Sequence, residues 1–103
     1  MPASFGLSQQ YGLPILVVLC NNRGYVSQEW NLQKYFRDGY AIRTNNLYGR
    51  VIDPTPDYAK LAEAYGGFGE RVDRPEDLEP ALSRALDAIA AGSLALLDVV
   101  VAP

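Results

Sequence analysis

The apolar residues of the chain fall into runs and stripes separated by turn formers, and each run predicts an element. Residues 2–11 mix polar and apolar positions and fit the tail of a helix closed by Gly12, a favoured residue just past a helix end. "LPILVVLC", residues 13–20, is an unalternating run rich in branched residues and bounded by Pro14 and a pair of asparagines. It predicts a strand covered on both faces, with Cys20 as a small buried hydrophobe. Val26, Trp30, Leu32 and Phe36 match a helical face in part and predict a helix over 26–36. "RDGYAIRTNNLYGRVIDPTPD", residues 37–57, then reads as a long connection of the functional, mobile or lid kind, in which Asn45-Asn46 serves as loop capping.

Thr55 is a good N-cap, Pro56 suits the first helical position, and Tyr58, Leu61, Ala62 and Tyr65 line one face of the helix that follows. Gly66 and Gly67 stop it. A short strand is expected over 69–72, and Asp73 followed three residues later by Glu76 resembles a capping box. Because Pro80 would break a helix interior, a loose turn is placed at 75–78 and the main helix at 79–91. Leu78, Leu82, Leu86 and Ile89, with Ala81, Ala85 and Ala90, form its apolar stripe. Gly92 ends it, and "LALLDVVV", residues 94–101, is a last run of strand length. Helix, strand, helix, long loop, helix, strand, helix, strand is the alternation of an α/β fold: a partial parallel sheet of about three strands with helices on its faces.

Composition narrows what such a fold can do. A chain of 103 residues fits one small domain. The net charge of -3, with nine scattered basic residues, argues against nucleic acid as a partner. One cysteine excludes an internal disulfide framework and fits a cytoplasmic chain. No apolar stretch reaches the roughly 18 to 20 residues that span a bilayer, so no membrane partner is expected. With no histidine, the commonest general base and transition-metal ligand is missing, so any chemistry must be carried by another group.

Candidate chemistry concentrates in "CNNRGY", residues 20–25, at the carboxyl end of the first predicted strand, where open parallel sheets bind ligands. An asparagine carboxamide offers a neutral oxygen, and a backbone carbonyl two residues later offers another, so the stretch can present oxygens to a small cation. Magnesium takes one or two carboxylates plus phosphate oxygens and water, so this reading requires a phosphorylated cofactor and an acid. The other reading is an Asx-type turn that merely caps the strand end.

"YGLPILVVLCNNRGY" resembles the closing half of the thiamine-diphosphate binding motif, which begins with Gly-Asp-Gly and ends in Asn-Asn. The segments "DPTPDYAKLAEAYGGFGERVDRPEDLEPALSRALDAI" and "ALLDVVVAP" look like the C-terminal portion of the same domain in acetolactate synthase and benzoylformate decarboxylase-like enzymes. The resemblance covers nearly all of the chain from Tyr11 onward and is loosest over 26–50. It implies that the Asn22 side-chain oxygen and the Gly24 backbone oxygen are magnesium ligands. It further implies that Asn21 supports the turn and that Tyr25 and Val26 lie beside the diphosphate, where a helix N-terminus favours anions. Thiamine diphosphate and Mg2+ are then the cofactors and a 2-keto acid the substrate, which is decarboxylated or joined to a second carbonyl compound. The protein anchors and orients the cofactor that does this chemistry.

The departures carry their own expectations. The chain has no Gly-Asp-Gly, and the family's catalytic glutamate belongs to a separate domain, so no catalytic residue is assigned here. A fragment, a truncated gene product or one piece of a split enzyme is expected, inactive by itself. An alternative is a non-catalytic truncated α/β module that self-associates or pairs with another chain through exposed sheet edges, which predicts a homo-oligomer. "GGFGER" follows a helix and precedes a strand, the wrong order for a phosphate loop, and reads as helix termination. Asp98 lies inside an apolar run, so it should be near an edge, functional or, as favoured here, held by a structural partner. Glu29 and Glu70 read as solvated faces.

Overall fold

The computed structural model describes residues 2–47 and 50–102, so residues 48 and 49 of the long connection lie outside the described residues. They group into two compact units, 2–21 with 56–101, and 22–55 with 102.

The first unit is a parallel three-stranded sheet in the order β1-β3-β2, built from β1 (Leu16–Asn21), β2 (Phe68–Val72) and β3 (Ala95–Val100). Helices α1 (Pro2–Tyr11), α4 (Tyr58–Ala64) and α5 (Leu78–Ala90) belong to it, with a 3-10 turn at Pro75–Asp77. The α/β expectation therefore holds, with the parallel sheet and its helices as read. Strand β3 lies in the middle, and its Ala95, Leu96, Leu97 and Asp98 are all buried, as a run without polar alternation requires. Leu97 and Ala95 face Val72, Ala81 and Ala85 in one core, with Phe68, Leu82, Ala88 and Ile89 packed around it. Leu96, on the other face, joins Phe5, Ala62 and Leu94 in a second core, edged by Val17, Tyr58 and Tyr65. The rings of Phe5 and Tyr65 meet edge to face at 5.9 Å.

Strand β1 is not covered on both faces. It is an edge strand whose Leu16 and Val18 are 38% and 49% exposed, and Cys20 is exposed too. Helix α5 buries Ala81 and Ala85, whereas Leu78 and Leu86 are exposed. At 3.6 residues per turn Leu86 lies about 100° around the helix from Ala85, off the side that meets the sheet, while Leu82 still packs against the core. Pro80 is accommodated in the first turn of α5, where a missing N–H has no intrahelical bond to lose.

Local signals shift by a few positions. Asp57, not Thr55, caps α4, its Oδ1 accepting the Lys60 N–H at 3.3 Å, while the Thr55 hydroxyl donates to the Ile52 carbonyl at 3.1 Å. Asp73 and Glu76 form no capping box: Asp73 accepts from Arg71 Nε at 2.9 Å and Glu76 pairs with Arg74 at 3.7 Å. Helices α1, α4 and α5 close alike, the amides of Leu13, Gly67 and Ser93 reaching back to the carbonyls of Ser8, Ala62 and Ala88 at 3.0, 2.9 and 2.9 Å. The intervening glycines take left-handed φ values, which confirms the three helix stops read from the sequence. "GGFGER" is accordingly a helix end running into a strand. At Gly69 a Cβ would stand 2.1 Å from the Ala59 carbonyl oxygen, so β2 and α4 approach closely only because that side chain is absent.

The second unit holds α2 (Val26–Tyr35) and α3 (Tyr40–Thr44). Helix α2 buries no residue, and its Trp30 is 66% exposed, which explains why its apolar spacing matches a helical face only in part. Helix α3 falls within the stretch read as an unbroken connection. Asn45 ends it at φ 54 and the Asn46 N–H reaches the Ala41 carbonyl at 3.0 Å, so the pair closes a helix rather than capping a loop as read. No helix is long and apolar enough to cross a membrane among the described residues.

Candidate functional site

Asn21 is the last residue of β1 and belongs to the first unit, where it is held by backbone and side chain. Its carbonyl accepts the Val101 N–H at 2.9 Å, and its Nδ2 donates to Asp98 Oδ1, also at 2.9 Å. Asp98 is fully buried on the central strand, so it is not near an edge, and Asn21 is the structural partner it was expected to have. The pair makes sense of two polar residues in apolar runs: each satisfies a group that would otherwise be stranded. Asp98 Oδ2 has no hydrogen-bond partner among the described residues. Arg71 stands in register beside it on β2, its guanidinium held above the ordinary range chiefly by the hydrogen bond to Asp73, with Asp98 contributing through its charge.

The remaining predicted residues, Asn22, Gly24, Tyr25 and Val26, lie together in the second unit as one turn and the start of α2. Asn22 Oδ1 accepts the Gly24 N–H at 3.3 Å, so the Asx-type turn does form. A carboxamide oxygen has two lone pairs, and one such bond leaves it able to meet a cation. Arg23, between them, takes a left-handed φ of 62. Tyr25 is the N-cap of α2 and makes no side-chain capping bond, and Val26 is the first helical residue. A ten-residue helix that begins without a side-chain cap presents backbone donors and the positive end of its dipole, a fit for a phosphate group.

Two features of this turn have no local sequence signal. Gly24 packs so tightly beneath the segment that returns at Arg50 that a Cβ would stand 1.8 Å from the Arg50 carbonyl oxygen. The Ile52 N–H donates to the Arg23 carbonyl at 2.8 Å. Glu29, far from being a solvated face, has a side chain only 15% exposed and meets Arg50 Nε at 3.0 Å. Glu70 is paired as well, accepting both Arg84 Nε and Nη2 at 3.0 Å, which raises the Arg84 pKa above its ordinary value. Among the described residues no group of three or more His, Cys, Asp or Glu side chains could hold a metal ion. The oxygens that Asn22 and Gly24 offer are neutral, suited to a hard cation that takes its anionic ligands from elsewhere.

Residues 3–99 match the family described as "Thiamine pyrophosphate enzyme, C-terminal TPP binding domain". The chain belongs to this family. It is 38% identical over 94 residues to the acetolactate synthase isozyme 3 large subunit of Escherichia coli (strain K12), covering 89% of this chain and 15% of that protein. It is 33% identical over 93 residues to the acetolactate synthase large subunit of Buchnera aphidicola subsp. Acyrthosiphon pisum, again covering 89% and 15%. The probable acetolactate synthase large subunit of Methanocaldococcus jannaschii is 30% identical over 96 residues, 91% of this chain and 14% of that protein. The chain thus spans about 15% of the length of such relatives. No solved structure matches it significantly. In this thiamine pyrophosphate enzyme domain the Asn-Asn turn lies within the matched span, as do Glu29, Arg50 and Asp98, whose contacts depend on residues distant in sequence.

Proposed function

We propose that the chain is the C-terminal portion of the cofactor-binding domain of a thiamine-diphosphate-dependent enzyme acting on 2-keto acids, by decarboxylation or carboligation of the acetolactate synthase kind. In this reading it supplies half of the magnesium–diphosphate anchor. The observation that carries it is the Asn22 to Gly24 turn, placed directly before the uncapped start of α2 in a chain of this family. Asn22 Oδ1 and the Gly24 carbonyl bind the Mg2+, the first residues of α2, Tyr25 and Val26, lie along the diphosphate, and Asn21 holds the strand end. Thiamine diphosphate, when bound, supplies the electron sink for cleaving and forming bonds at the keto carbon. The chain's own residues bind and orient, and none transfers a proton. The same reading places the complete enzyme in the cytoplasm as a homo-oligomer with no membrane or nucleic-acid partner.

A second reading, an assembly module that associates without catalysis, draws on the exposed apolar face of edge strand β1. One experiment separates the two: adding an upstream polypeptide that carries Gly-Asp-Gly and measuring Mg2+-dependent thiamine diphosphate binding by calorimetry. Restored binding, weakened by Asn22→Ala about tenfold or more, is expected for loss of a metal ligand. Association without any cofactor response would favour the assembly module.

A further inference from the structure

We propose that Glu29 and Arg50 are positioning residues for the Gly24 carbonyl, closing residues 50–52 over the Arg23–Gly24 turn as a clasp. The inference rests on the reading of that turn as a cofactor anchor. Three contacts within the second unit carry it. The Arg50 backbone lies against Gly24 at a separation that no side chain could share. The Ile52 N–H reaches the Arg23 carbonyl at 2.8 Å. The Arg50 side chain is tied to helix α2 through Glu29 at 3.0 Å.

Each contact has a reason to need the others. Arg23 occupies a left-handed conformation that non-glycine residues disfavour, so the turn relaxes unless its surroundings hold it. The bond from Ile52 supplies one restraint, and it lasts only while the returning segment stays in place. Glu29 is a firm post for that segment: its Oε1 accepts from Gln33 Nε2 at 3.4 Å while its Oε2 meets Arg50. It also lies in the first turn of α2, where the helix dipole favours a carboxylate. Pairing with Arg50 has a second effect, since an unpaired carboxylate at that helix start would repel a phosphate group arriving there.

The test is a double-mutant cycle in the chain combined with the upstream Gly-Asp-Gly polypeptide. It is read as the Mg2+-dependent affinity for thiamine diphosphate, alongside amide exchange at Ile52 in the full chain. Glu29→Ala and Arg50→Ala are each expected to weaken binding about three- to fivefold, with the double variant no weaker than either single one. Ile52 exchange should speed up in both, while the urea midpoint of the chain stays unchanged. Affinities within twofold of the unsubstituted chain, or effects that multiply in the double variant, would overturn the clasp. Asn22→Ala separates the two failures. If it weakens binding while Glu29→Ala and Arg50→Ala do not, the clasp alone falls. If it leaves binding intact, the anchor reading falls and the positioning role with it.

Discussion

Gly69→Ala is expected to destabilise the chain by about 3 kcal/mol, seen as a lowered midpoint in urea unfolding. The added methyl would stand 2.1 Å from the Ala59 carbonyl oxygen and 2.7 Å from its carbon, so backbone rather than a flexible side chain must give way. Strand β2 or helix α4 then has to move outward. That displacement opens the core in which Ala62 and Leu96 are buried against Phe5. A loss of this size is a large part of the roughly 5 to 15 kcal/mol by which small domains are stable. An unchanged midpoint would mean that the sheet and helix yield without cost, contrary to their packing.

The second large effect is local to the other unit. In Gly24→Ala the new Cβ would fall 1.8 Å from the Arg50 carbonyl oxygen and 2.8 Å from its carbon, so the returning segment cannot stay against the turn. The bond from Ile52 to Arg23 goes with it. Amide exchange at Ile52 should rise about 10- to 100-fold, the equivalent of the 1 to 3 kcal/mol typical of overpacking, while amides of β3 keep their protection. Rising exchange across β3 would show instead that the turn supports the whole chain. Mg2+-dependent cofactor binding in the reconstituted domain should fall by a similar factor.

Glycine at these positions was visible in the sequence, but the reason for it was not. Gly69 and Gly24 are needed because distant backbone, at Ala59 and Arg50, passes over them, and no local pattern records such an approach. Elements set by local rules were legible: the central strand as an apolar run broken only by Asp98, and the helix stops before Gly12, Gly66 and Gly92. Expectations failed where a neighbour decides the outcome. Cys20 is exposed because β1 is an edge strand without cover on that face, and Leu86 is exposed because α5 meets the sheet through Ala81 and Ala85 instead. Thr55 was read as the N-cap, but the path of the chain puts Asp57 at that position instead. At the candidate site the turn residues were named in advance by resemblance. Asp98 was recognised as needing a partner, but Asn21 could not be identified as that partner without the parallel pairing of β1 with β3.

The half-anchor reading is tested most directly by calorimetric titration of the 103-residue chain alone with thiamine diphosphate and Mg2+. With neutral oxygens and a helix start at the turn, and the neighbouring Glu29 carboxylate paired with Arg50, binding should be absent or weaker than about 1 mM, a standard free energy no better than about -4 kcal/mol. Saturable binding at about 1 μM would contradict it, showing that the chain carries a complete cofactor site.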